Sequence, residues 1–121
     1  MKKYESQGVG IFAINPNDPV KYPEDSFKNM KPMAEAFGIG GNYLFDETQE
    51  IARALGAQRT PECYVFDTNS KLAYHGAFDN SWDNAANVTQ RYLENAVDAV
   101  LAKQSPAIAE TPAVGCSVKW K

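Results

Sequence analysis

Two cysteines and one histidine carry most of the nucleophilic and acid–base capacity of this 121-residue chain. Cys63 stands two residues after Thr60-Pro61 in the stretch RTPECYVF, where a turn-forming pair runs straight into an apolar, strand-like segment. A thiol attacks only as the thiolate, so a working Cys63 needs a cation such as Arg59, or a helix N-terminus, beside it. A cysteine inside an apolar strand is otherwise an inert core residue. Cys116 lies in the C-terminal stretch GCSVKW, and its place in a tail makes it the more accessible candidate thiol. The two cysteines are far apart, with no CxxC and no Cys/His cluster, which argues against zinc and against a two-cysteine redox loop. No metal or cofactor is expected. His75 has no cysteine or carboxylate at motif spacing and reads as a surface strand residue rather than a general base. Asp46 and Glu47 open a helix, where negative charge is stabilising without any catalytic role.

The elements that must position these residues belong to an ordinary globular chain: hydrophobic content is 44 % and charged content 22 %. Its length suits one domain, residues 1–121, with a core large enough to need no disulfide or metal. Net charge is −3 and the 12 Lys and Arg are spread along the sequence, so the basic footprint that nucleic acid requires is missing. No apolar run has the length of a membrane span or of a secretory leader, which makes the chain a non-membrane protein expected in the cytoplasm. Asn87-Val88-Thr89 fits the glycosylation sequon, but in that setting it is expected to be a helix cap.

The opening MKKYESQG reads as the end of a helix closed by Gly8. Val9 to Asn15 is an apolar run of strand length, the pattern of a strand covered on both faces. Asp25 or Ser26 is placed to cap a helix with Phe27, Met30, Met33, Ala34 and Phe37 on its inner face, interrupted by Pro32 and stopped by Gly38 to Gly41. NYLFD is a short strand. Asp46 with Gln49 makes a capping-box-like start to a helix whose inner face is Ile51, Ala52 and Leu55 and which ends at Gly56. Glu62 to Asp67 and Lys71 to Gly76 flank the turn TNS as a hairpin. Val88 to Lys103 carries Leu93, Ala96, Val97, Val100 and Leu101 at helical spacing, and Phe78, Trp82 and Tyr92 supply aromatic contacts near the hairpin. Residues 104–121, with two prolines, form an extended tail over the domain, anchored if Val118 and Trp120 find a groove.

The order Thr-Pro, hairpin, long helix is that of the second half of the thioredoxin fold. With GVGIFAINPND, YLFDETQEIARALGA, TPECYVFD, KLAYHGAFD, VTQRYLENAVDAVLA and VGCSVKW in sequence, the chain resembles the thioredoxin-like redoxins of the alkyl hydroperoxide reductase/thiol-specific antioxidant superfamily over essentially its whole length. The resemblance implies an α/β fold, a truncated thioredoxin-like framework with a mixed sheet and helices on both faces. It also implies that Thr60-Pro61 is the family's cis-proline, with Arg59, Thr60 and Pro61 as a binding floor for an extended thiol or peptide. In the family a first strand, a cysteine loop and a long helix precede the segment matching Tyr4 to Asn15, so the chain is expected to lack the central first strand, the catalytic cysteine and most of the first helix.

A central gap of that kind is costly, at about 1–3 kcal/mol for each unpaired buried hydrogen-bonding group. A homodimer that covers the surface exposed by the missing strand and helix is the expected closure, with direct pairing of the flanking strands within one chain as the other route. The functional expectation is a non-catalytic binding or assembly domain with a protein or thiol ligand. The alternatives are thiol-disulfide or peroxidase-like chemistry through Cys63 or Cys116, and a fragment of a longer redoxin.

Overall fold

Residues 2–30, 32, 43–81 and 85–121 are described by the computed structural model, which shows a small mixed α/β protein with few helices and short strands. Met33, Ala34, Phe37, the stop at residues 38–41 and Trp82 lie outside the described residues. The chain forms two compact units, Met1–Ala57 with Val118–Lys121, and Gln58–Ser117. Among the described residues the strands form three two-stranded sheets, in place of the one mixed sheet that the sequence suggests. Strands of two to five residues offer few ladder positions, so each pairs with one neighbour.

In the first unit, helix α1 (Lys2–Glu5) closes where the Gly8 amide donates to the Glu5 carbonyl at 3.1 Å. Strand β1 (Ala13–Asn15) pairs in parallel with β2 (Tyr43–Phe45), Ala13 opposite Tyr43 and Asn15 opposite Phe45. The run expected to be a strand from Val9 pairs only at its last three residues, and Phe12 is 63 % exposed. Among the described residues β2 offers three positions, and they pair with Ala13–Asn15. Pro23–Asp25 is a single 3-10 turn ahead of helical residues 27–30. Neither expected cap acts there: the Asp25 carboxylate accepts from Asn17 Nδ2 at 3.2 Å, and the Ser26 hydroxyl is buried without a partner.

Asp46 does cap helix α2 (Glu50–Leu55), its carboxylate accepting the amides of Ile51 at 3.3 Å and Ala52 at 2.9 Å. These are donors that the first helical turn leaves without a partner. The inner face is narrower than expected. Ala52 is buried, but Ile51 is 42 % exposed, because successive helix residues turn about 100° and one of the two must face out.

Gln49 leaves the capping box altogether. It sits in the left-handed region at φ 64°, is 1 % exposed, and its amide nitrogen donates to the carbonyls of Pro16 at 2.8 Å and Lys119 at 2.9 Å. Its Oε1 accepts the Lys121 amide at 3.1 Å. The Asp18 amide also donates to the Lys119 carbonyl at 2.8 Å, and Asn17 Oδ1 accepts the Lys119 amide at 2.9 Å. Val118 is buried and the Arg53 guanidinium lies 4.7 Å over the Trp120 ring. Residues 118–121 are therefore an integral strip of this unit.

In the second unit, β3 (Arg59–Thr60) pairs antiparallel with β6 (Cys116–Ser117), and β4 (Cys63–Phe66) with β5 (Leu72–Gly76). The TNS turn works through Asp67, whose carboxylate accepts the amides of Asn69 at 2.8 Å and Lys71 at 3.0 Å. Helix α3 (Tyr92–Leu101) packs on both hairpin strands, burying Ala96 and Val97 near Val65 and Tyr74 of the same core. Each large side chain so buried contributes about 1.5–3 kcal/mol. The helix is shorter than the pattern Val88 to Lys103 suggests, and the sequon is not its cap: Asn80 holds Thr89 through its hydroxyl at 2.6 Å and its amide at 3.0 Å.

A third segment joins β5. The His75 amide donates to Ala109 and the Thr111 amide to His75, both at 3.1 Å, so residues 109–111 lie parallel to the strand. Tyr74, fully buried, donates its hydroxyl to the Ala77 carbonyl at 2.6 Å; the Ala77 amide donates to Thr111 Oγ1 at 2.9 Å, and Thr111 Oγ1 lies 2.6 Å from the Tyr74 oxygen. With the Tyr74 proton committed to Ala77, Thr111 is the donor in the last contact and the ring closes with every proton used. Gly76, at φ +149°, is obligatory there, since a Cβ would collide with the Thr111 carbonyl and hydroxyl oxygens.

Replacing Gln49 by Ala removes the side-chain partner of the Pro16 carbonyl and the Lys121 amide, and one of the two donors to the Lys119 carbonyl. Gln49→Ala is expected to cost about 2–3 kcal/mol, read as a lower urea midpoint at unchanged slope.

Candidate functional site

Four of the residues singled out by the sequence surround one turn. The Thr60–Pro61 peptide is cis, and β3, which leads into it, is held by β6, with Thr60 opposite Cys116. The Thr60 hydroxyl reaches the Cys116 carbonyl at 3.5 Å. Gly115 permits this approach, because a Cβ at its φ of +153° would collide with the Thr60 carbonyl. Thus Arg59, Thr60, Pro61 and Cys116 lie together, with Arg59 and Pro61 exposed to solvent.

The organising group of the turn is one that composition and spacing pass over: Glu62. Its side chain is only 5 % exposed. Oε1 accepts the amides of Gln58 at 3.0 Å and Arg59 at 3.1 Å, and Oε2 accepts the Tyr64 hydroxyl at 2.6 Å and meets His75 Nε2 at 2.6 Å. Burial works to raise the carboxyl pKa, but the donors of Tyr64, Gln58, His75 and Arg59 outweigh it and hold the group down at about 2. The Tyr64 hydroxyl moves the other way, pushed up by burial and by giving its proton to Glu62.

His75 is accordingly not the free surface residue that the sequence suggests. Its ring stacks on Tyr64 with centroids 4.6 Å apart and planes 10° from parallel, and its Nδ1 lies 3.7 Å from Glu110 Oε1. The signal that would have found this pair is the hairpin register, which sets Tyr64 directly opposite His75.

The thiols fare differently. Cys63 is half-buried in β4, and burial, together with the negative charges of Glu62 and Asp79, pushes its thiol up to about 11. That is the opposite of what a nucleophile needs, and Arg59 does not offset it. Cys116 is exposed; both cysteines are free. Among the described residues no group of three or more His, Cys, Asp or Glu has a metal-binding arrangement. No helix among them is long and apolar enough to cross a membrane.

No family model and no curated protein matches this sequence. Solved structures do. An uncharacterized conserved protein from Geobacillus kaustophilus is 44 % identical, with a TM-score of 0.90, over 99 % of this chain and 64 % of that one. The hypothetical protein SMc02350 from Sinorhizobium meliloti 1021 is 37 % identical, with a TM-score of 0.91, over 99 % of this chain and 66 % of that one. The chain spans just under two thirds of the length of each, and over that part it has the same backbone fold.

The depressed Glu62 pKa fixes a pH dependence. Its ordinary value is 4.5 and its folded value about 2, so the stability it contributes is complete above about pH 4.5 and is lost as the pH falls through 2. Chemical denaturation at pH 5 and pH 2 should show the native protein losing on the order of 3 kcal/mol more than Glu62→Gln.

Proposed function

We propose that this chain is a redoxin-like domain on a truncated thioredoxin-type framework, acting as a binding or assembly module and not as a thiol oxidoreductase. The observation that carries this reading is the state of Cys63: at a pKa of about 11 its thiolate population at neutral pH is negligible. The framework is supported by the parallel pair β1–β2, the hairpin β4–β5 followed by α3, and the cis Thr60–Pro61 turn at the position where the resemblance sets a cis-proline. Arg59, Thr60 and Pro61 then form a floor whose exposed residues suit an extended protein or thiol ligand.

The same reading makes the chain a cytoplasmic homodimer. Phe12, Val20 and Phe27 in the first unit and Phe66 and Leu72 in the second are each at least 49 % exposed, and these apolar side chains are the surface offered to a second copy. Reduced thiols at Cys63 and Cys116 suit the cytoplasm.

A second reading is favoured by one observation, that the matched structures are about half as long again as the part this chain matches. In it, a cysteine-bearing segment works opposite the Thr60–Pro61 turn, and the domain is the non-thiol half of an active redoxin.

Two measurements decide. Peroxide consumption and disulfide reduction in the presence of dithiothreitol or thioredoxin are expected to be no faster for this chain than for Cys63→Ser and Cys116→Ser; turnover lost in either variant rejects the leading reading. Sedimentation at micromolar concentration is expected to give twice the chain mass, and a folded monomer rejects the dimer.

A further inference from the structure

We propose that His75 is a proton-controlled latch that fastens residues 109–111 to β5. The two ring nitrogens face different carboxylates. Nε2 lies 2.6 Å from Glu62 Oε2 and Nδ1 lies 3.7 Å from Glu110 Oε1. Among the described residues, Glu62 from the turn before β4, Tyr64 from β4 and Glu110 from the segment 109–111 lie against the ring. Strand alternation turns the ring away from α3, which covers the hairpin face of Val65 and Tyr74.

Glu62 is ionised across the physiological range and acts as an acceptor only, so the Nε2 hydrogen is pinned toward it in both charge states of the ring. The only position left to change is Nδ1. When His75 is neutral, Nδ1 presents a lone pair to the Glu110 carboxylate and the contact is repulsive. When His75 is protonated, Nδ1 presents a hydrogen and the contact becomes an ion pair. The proton therefore reverses the sign of one interaction while leaving the other in place.

The backbone converts that sign into a position. Glu110 sits between the two hydrogen bonds that hold the segment, from the His75 amide to Ala109 and from the Thr111 amide to His75. Loosening Thr111 also opens its hydroxyl bonds to the Ala77 amide and to Tyr74. Histidine is the side chain whose charge ordinarily changes between pH 5 and 8, which sets the two pH values at which the latch is read.

Amide hydrogen exchange on the full chain, with rates corrected for intrinsic pH dependence, tests the latch. Glu110 is 77 % exposed, so the effect is that of a surface pair: protection of the Thr111 and His75 amides is expected to be about two- to fivefold higher at pH 5 than at pH 8. Glu110→Gln, a surface change that leaves the fold intact, and His75→Gln should each abolish the difference. Equal protection at the two pH values in the native chain overturns the proposal. So does a pH dependence that survives in Glu110→Gln.

Discussion

A carboxylate that is almost shut off from water has to find donors for its lone pairs, and in this protein Glu62 finds four of them. Two come from the backbone before the cis-proline, one from the next outward-facing residue of β4, and one from β5 across the hairpin. The carboxylate thus fixes the path of residues 58–60, the side chain of Tyr64 and the ring of His75 at once. Removing any one donor leaves a buried charge short of a partner, so the four interactions stand or fall together. Everything else about the turn, including the pairing of Thr60 with Cys116, is built on a loop held from below by this one group.

That choice has a chemical consequence for the residue beside it. An ionised carboxylate adjoining Cys63, reinforced by Asp79, disfavours a second negative charge, and burial of the thiol acts in the same direction. The electrostatics that make a firm floor make a poor nucleophile. A reactive thiol opposite this turn has to come from a residue other than Cys63; Cys116 is exposed and its backbone pairs with Thr60.

The parts of the fold governed by local pattern were readable in the sequence. Gly8 and Gly56 end their helices, Tyr43–Phe45 of NYLFD is a strand, the TNS turn joins two antiparallel strands, and Ala96 and Val97 face the core of α3's hairpin. The misreadings share a cause, which is that the deciding partner lies far away in sequence. Gln49 looked like a capping residue for the next turn, yet its partner Lys119 is 70 residues on. His75 looked solitary because Glu62 is separated from it by a whole hairpin, and only the strand register brings them together. Ile51 was placed inside by helical spacing, but a six-residue helix has room for one inward stripe and Ala52 occupies it. Cys63 is next to the turn in the sequence itself, whereas the upward push on its thiol comes from burial and from the charges of Glu62 and Asp79, which no motif encodes.

The last residues of the chain restrict how a partner can bind. An exposed strand edge is the usual place for a second copy to add on. The outer edge of β5 is already occupied by residues 109–111, and one edge of β3 by β6, so neither of these two edges is open for strand addition. In the first unit the strip 118–121 uses the backbone of Asp18 and Pro16 and the side chains of Asn17 and Gln49, which closes that side of the β1 turn as well. What remains are apolar side chains rather than these backbone edges: Phe12 and Phe27 in one unit, Phe66 and Leu72 in the other. The homodimer proposed above would, through such surface, be driven by burial and shape rather than by ladder hydrogen bonds. It would tolerate conservative exchange among those side chains and weaken when one of them becomes charged.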